Sequence, residues 1–183
     1  MALKSTIHKA ELSISDIGRG HYHDYALTIA RHPSETEERM MVRLLAFALH
    51  ADEALEFGKG LSTEDEPDLW HRDLTGRILT WIDVGLPDPR RLRKACGRAD
   101  QVVVLPYGGR AADLWWQQNE RDLAKLDSLT VIALPVASTQ ALAALARRTM
   151  RLTATLQDGQ VWLTDETGAS ATVELQELKR AGA

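Results

Sequence analysis

The chain has 183 residues, 44% of them hydrophobic and 26% charged, with twelve glycines and six prolines; this composition supports a real core and excludes a disordered, collagen-like or low-complexity chain. Twenty-two Lys and Arg against twenty-six Asp and Glu leave a net charge of −4, which argues against coating nucleic acid by bulk attraction and leaves local binding open. Cys96 is the single cysteine, so an intramolecular disulfide and a multi-cysteine zinc site are excluded.

Ile7, Ala10, Leu12 and Ile14, then Tyr22, Tyr25, Leu27 and Ile29, alternate on either side of a polar turn at 16–20, the pattern of a β-hairpin. Lys4, His8, Lys9 and Glu11 interrupt what a secretory signal would need as an apolar run, so a cytoplasmic protein is expected. No stretch reaches the ~18 apolar residues of a membrane span. Pro33 ends the second strand, and Ser34 with Glu37 has the capping-box spacing that starts a helix running to about Ala51. Met41, Leu44, Leu45, Ala48 and Leu49 form its buried face. A short strand or turn follows, with Lys59 between Gly58 and Gly60, and then an acidic stretch leading into Pro67, Asp68, Leu69 and Trp70.

Residues 77–85 read as a buried strand. Asp88 caps a basic helix with Pro89 at its first position and Leu92, Ala95, Cys96 and Ala99 as its core stripe. Two more buried strands, 101–107 and 129–135, enclose a helix over 111–127. Alternating strand and helix from 77 to 135 predicts right-handed crossovers and parallel pairing. Ser138 caps a last helix ending near Arg148, and the tail alternates around Asp158-Gly159 and Thr167-Gly168 as an antiparallel hairpin added at a sheet edge. One mixed α/β domain over residues 1–183 is the economical assignment.

Charge is separated by sign along the chain. Arg90, Arg91, Arg93, Lys94 and Arg98 crowd one segment without an acid, and Glu64, Asp65, Glu66 and Asp68 crowd another without a base. Three acids also run against the hydrophobic grain of their segments. Glu38 precedes Val42, Leu45 and Leu49 at helical spacing, Asp68 opens a strand after a proline, and Asp83 sits inside Trp81-Ile82-Asp83-Val84. A carboxylate in such a run is costly unless a cation or donors meet it. Converging from a helix and two adjacent strands, the three would make an oxygen-ligand site suited to magnesium or manganese.

Plainer readings compete. Glu38 alone reads first as a first-turn acid stabilised by the helix dipole, and Asp68 as a turn residue. Asp83 fits a metal ligand and an ion-pair partner of Arg91 or Lys94 equally well. The basic helix also reads as a solvated face. His21 and His23 share a strand face but lack a third ligand, one of Trp115 and Trp116 enters the core while the other meets a neighbour, and Cys96 reads as a buried inert thiol.

Pro67-Asp68 and Asp83-Val84-Gly85, in the order helix, short strand, Pro-Asp strand, Ile-Asp strand, helix, strand, resemble the core motif of the PD-(D/E)XK nuclease superfamily. HPSETEERMMVRLLAFAL, LEFGKGLSTEDEPDLW, WIDVG and RKACGRADQVVV resemble the YaeQ family of bacterial proteins over essentially the full chain. The resemblance implies a restriction-endonuclease-like core, a central mixed sheet flanked by helices, with β-hairpins added at both ends. As activity it implies phosphodiester hydrolysis, with Mg²⁺ or Mn²⁺ held by Asp68 and Asp83 and with Glu38 nearby as ligand or water-orienting base. Gly85 stands where such nucleases place a lysine. Lys94 on the following helix is the preferred substitute, with Arg91 and Lys59 as alternatives. Arg91, Lys94, Arg98 and Lys59 would meet a nucleic-acid backbone. The competing function is a non-catalytic descendant that binds nucleic acid or a protein partner.

Overall fold

The N-terminal alternation produces two antiparallel 11-residue strands, β1 (Thr6–Asp16) and β2 (His21–Arg31), paired from Thr6 with Arg31 to Asp16 with His21. The computed structural model describes residues 4–59 and 65–183. Helix α1 (Glu37–Leu49) follows, and every residue from Met40 to Ala48 is buried. A helix enclosed all round belongs between layers, and α1 lies between two sheets. Its cap differs from the expected one. Thr36 is the N-cap, accepting from the Arg39 N–H at 3.0 Å, while the Ser34 hydroxyl pairs with His32 Nδ1 at 2.7 Å in the preceding turn. This shift of two residues turns Glu35 inward, where it is buried.

The second half of the chain supplies β3 (Leu55–Phe57), β4 (Leu69–Arg72), β5 (Ile78–Val84), α2 (Pro89–Cys96), β6 (Ala99–Leu105), α3 (Arg110–Leu123), β7 (Leu129–Ala133) and α4 (Val136–Ala144). Strands β5, β6 and β7 pair in parallel, as alternating strand and helix require. Ser138 is not the cap of α4, which begins earlier after Pro135 and ends at Ala144; the Ser138 hydroxyl is buried and accepts from the Glu174 N–H at 3.4 Å.

The tail forms β8 (Thr149–Gln157), β9 (Gln160–Asp165), β10 (Ser170–Glu174) and β11 (Gln176–Lys179). The expected hairpin is there, β8 against β9, but it is not an edge addition to the central sheet. Strand β8 pairs in parallel with β1, which builds a separate five-stranded sheet in the order β10-β9-β8-β1-β2. Only β11 joins the other sheet, whose order is β11-β7-β6-β5-β4-β3. Both terminal hairpins have one apolar face, and each buries it by lying beside the other over α1 and α4. Leu12 and Ile14, Leu152 and Leu156, and Val161 and Leu163 join Met41, Leu45, Leu142, Ile82, Val84 and Leu105 in one apolar cluster.

The opposite face of the six-stranded sheet carries a second cluster, where Trp81, Val102, Val104 and Val131 pack against Leu92 and Ala95 of α2 and Trp115 and Leu123 of α3. Trp115 is the tryptophan that enters the core, its indole N–H donating to the Pro87 carbonyl at 2.9 Å, and Trp116 packs partly buried against the same cluster.

Candidate functional site

Asp68 and Asp83 are adjacent because β4 and β5 pair with Leu69 opposite Ile82, which sets Asp68 beside the end of β5. The Asp68 N–H donates to Asp83 Oδ1 at 3.4 Å, so the two residues expected to converge do so. Both are buried. Each carboxylate is then taken by an arginine from a different helix. Arg39 of α1 donates from Nη2 to Asp68 Oδ1 at 2.8 Å, and the other oxygen accepts from the Val84 N–H at 2.8 Å. Arg91 of α2 reaches Asp83 with both arms, Nε to Oδ2 at 2.9 Å and Nη2 to Oδ1 at 3.2 Å, and the Trp81 indole N–H adds a third bond at 3.1 Å. The alternative of Asp83 as an ion-pair partner of Arg91 is the arrangement present.

The chain of charges continues into α1. Glu35 accepts from Arg39 Nη1 at 2.7 Å and from Arg43 Nη2 at 2.5 Å, and Arg43 also donates to the Ala30 carbonyl at 3.0 Å. Glu35 and Arg43 side chains are each only 2% exposed. Burial pushes the Asp68 carboxyl above its ordinary range, against the pull of Arg39 and with a further push from Asp83. Tyr107, just beyond β6, faces the same group of charges. Its phenol is raised to about 12, chiefly by burial, with Glu38, Glu35 and Asp68 adding to the rise and Arg39 opposing it.

Glu38 is half-buried beside Arg39, and among the described residues no three Asp, Glu, His or Cys side chains assemble as a metal-ligand group. A magnesium or manganese ion needs carboxylate lone pairs directed at it. All four oxygens of Asp68 and Asp83 accept from arginine, indole or backbone N–H groups.

Lys94 does not reach the carboxylates. It is exposed, and its Nζ lies 3.8 Å from Asp65 Oδ1. Lys59 is exposed as well, and its backbone N–H donates to Glu66 Oε2 at 3.1 Å. Gly58 must be glycine because a Cβ there would run into the Pro67 carbonyl oxygen. Gly85 has φ +93°, a left-handed conformation in which lysine would be strained. Its N–H bonds to the Leu105 carbonyl at 3.0 Å. The motif position is therefore shaped for glycine by the backbone itself.

On the outer side of α2, Arg90, Arg91, Lys94 and Arg98 line a cavity of about 440 Å³ with Trp81 in its wall and Asp88 at its edge. Asp88 caps α2 by accepting from the Arg90 N–H at 2.8 Å. The Arg91 and Arg98 guanidinium carbons lie 5.5 and 5.3 Å from the Trp81 ring centroid. The acidic segment meets the basic one here, chiefly through its backbone: Arg91 Nη2 donates to the Glu66 carbonyl at 2.8 Å and Arg98 Nη1 to that of Asp65 at 3.1 Å. Glu64 lies outside the described residues.

Glu35, Arg39, Arg43 and Tyr107 escaped the sequence reading. The signal was present for two of them. Arg43 stands among Met41, Val42, Leu44 and Leu45, the same conflict of charge with grain that singled out Asp83, and Arg39 precedes it by one helical turn.

Fold and site together define a two-sheet α/β protein with an arginine-clamped carboxylate pair beside a basic helix. A profile of the YaeQ protein matches residues 1–175. The chain belongs to the YaeQ family. It is similar to YaeQ of Salmonella typhi, at 50% identity over 165 residues that cover 90% of this chain and 91% of the relative. Its similarity to YaeQ of Escherichia coli strain K12 is 48% over 166 residues, covering 91% and 92%. The crystal structure of YaeQ from Xanthomonas axonopodis pv. citri matches with a TM-score of 0.92 at 50% identity, covering 96% of this chain and 98% of that one. That of YaeQ from Pseudomonas syringae matches at 0.89 and 39% identity, covering 98% of each. None of these names states an activity. Among the described residues no helix is long and apolar enough to cross a membrane.

Proposed function

We propose that this YaeQ family protein is a non-catalytic relative of the PD-(D/E)XK nucleases that binds nucleic acid through the outer face of α2. The observation that carries the reading is the double clamp. Arg39 and Arg91 occupy the carboxylates that a hydrolytic metal would need, and a buried ion pair so satisfied resists exchange for a hydrated ion. Exposed cations on α2 supply the affinity instead. Such contacts hold phosphates without reading sequence, so binding depends steeply on salt.

The test is fluorescence anisotropy with labelled single-stranded DNA, duplex DNA and RNA at low salt, with manganese or with chelator. Affinity should be equal in the two conditions, and Lys94→Ala should lower both the affinity and its salt slope. Manganese calorimetry on the wild type and on Asp83→Ala reads the rival activity directly. Specific manganese binding lost in Asp83→Ala, together with cleavage lost in Asp68→Ala, would replace this reading by metal-dependent phosphodiester hydrolysis, with Glu38 and Lys94 in the supporting roles set out above. No affinity for any of the three nucleic acids would turn the α2 face over to a protein partner.

A further inference from the structure

Each sheet has two outer strands. Three of them are short: β3 has 3 residues, β11 has 4 and β10 has 5. Brevity is one way a protein keeps a sheet edge from pairing with another chain. The fourth, β2, has 11 residues, no proline, no lysine and no bulge in its pairing with β1. In an antiparallel pair the N–H and C=O of one residue face the same side, and successive residues alternate. Lys9 of β1 donates to the Arg148 carbonyl, on the β8 side, so Ala10, Leu12 and Ile14 are the residues that bond to Leu27, Tyr25 and His23 of β2. The backbone groups of Asp24, Ala26, Thr28 and Ala30 therefore face outward. Arg43 takes the Ala30 carbonyl at 3.0 Å. Among the described residues nothing takes those of Asp24, Ala26 and Thr28, and all three residues are exposed.

We propose that this edge pairs with the same edge of a second copy of the chain, antiparallel about a two-fold axis at Ala26, so that two five-stranded sheets become one. Such an interface is isologous, and the edge must complement itself. With Ala26 opposite its own counterpart, Asp24 faces Thr28 of the second copy. Lys9 pairs with Thr28 inside each copy, so Lys9 of the second copy lies two strand spacings from Asp24, about 10 Å between backbones and within reach of a lysine side chain. Asp24 accepts from the Ser13 hydroxyl at 2.6 Å, and among the described residues neither Asp24 nor Lys9 has an ion-pair partner of its own. On the inner face Tyr25 meets Leu27 of the second copy. Both are half-buried at the margin of the core, and the pairing covers them. Neighbouring registers fit worse. Asp24 opposite Ala26 would set two Asp24 carboxylates on diagonal neighbours, where like charges repel. Asp24 opposite Ala30 would meet the carbonyl that Arg43 holds.

The experiment is sedimentation equilibrium of the full chain over a range of concentrations, where the mass should rise from that of one chain towards that of two. Ala26→Pro removes only an outward N–H, which an edge strand tolerates, and should raise the dissociation constant by about tenfold or more. Asp24→Lys should also weaken the dimer, by setting lysine against Lys9 of the second copy, and Asp24→Lys/Lys9→Glu should recover most of the loss. Within one chain those two positions are four residues apart along paired strands, about 14 Å, so the recovery reads a contact between copies. A single-chain mass at every concentration overturns the proposal and leaves the edge to a strand of another protein. A dimer that neither Ala26→Pro nor Asp24→Lys alters also overturns it, because the copies would then meet elsewhere. If Ala26→Pro fails to fold, the charge reversal and its recovery decide alone.

Discussion

Charges inside this molecule and charges on the outer face of α2 solve opposite problems with the same side chains. Within, Arg43, Glu35, Arg39 and Asp68 form one run of ion pairs, and Asp83 with Arg91 forms the next. Every charge there has a partner because leaving one unpaired out of water costs several kcal/mol. Outside, Arg90, Lys94 and Arg98 sit in solvent, where holding or losing a partner matters little to stability. Arg91 belongs to both regions, and the comparison teaches that it anchors the basic helix to the sheet while its neighbours remain available to a ligand.

The sharpest way to break this contrast is Arg43→Ala. It leaves Glu35 buried without its closest cation, and urea denaturation should show a loss of about 3–5 kcal/mol. Arg91→Ala should cost less, about 2–3 kcal/mol, because that side chain is 26% exposed and water can reach Asp83 in its absence. Asp83→Asn should be milder than Arg91→Ala in the same assay, since the charge it leaves without a carboxylate is that of Arg91, which is 26% exposed, whereas Arg91→Ala strands Asp83, which is 3% exposed.

His50 sharpens the interior side by a different route, staying neutral where the others pair. Its Nε2 is buried with no hydrogen-bond partner, and burial, aided by the nearby Arg19, lowers its pKa to about 4. An unfolded histidine titrates near 6.5, so the unfolded state binds the extra proton between those values. Stability attributable to His50 is therefore complete above about pH 6.5 and falls as the pH drops toward 4, by about 3 kcal/mol. His50→Gln should flatten that part of the pH–stability curve.

Smallest in stability is the exposed side. Lys94→Ala should change the unfolding free energy by less than about 0.5 kcal/mol, while lowering the salt slope of nucleic-acid binding by about 1. A double-mutant cycle on Lys94 and Asp65 should give less than about 1 kcal/mol.

Much of this was legible in the residues. The parallel run β5 to β7 followed from β-branched segments separated by amphipathic helices, and the convergence of Asp68 with Asp83 followed from Pro-Asp and Ile-Asp on neighbouring strands. What acts on those carboxylates was harder to read. Arg91 was visible as one of two candidate partners, but Glu35 and the partner it offers to Arg39 were not. Their roles depend on the turn at 32–36 directing Glu35 inward, which only tertiary packing decides. The five-stranded sheet was hidden for a similar reason: alternation identifies a strand's apolar face but not the strand that will lie beside it.

That sheet has a consequence for how the protein is made. Strand β1 pairs along its second edge with β8, from Lys9 against Thr149 to Asp16 against Leu156, and His8 Nδ1 donates to the Arg147 carbonyl, 139 residues further along the chain. On the ribosome the first hairpin emerges with that edge and the apolar row Ala10, Leu12 and Ile14 uncovered. At about 5–20 residues per second the matching strand follows on the order of ten seconds later. Throughout that interval an open β edge can recruit any other nascent strand. The pace of translation and chaperone cover of residues 6–31 therefore decide how long that edge stays open, a period that the stability of the finished fold does not shorten.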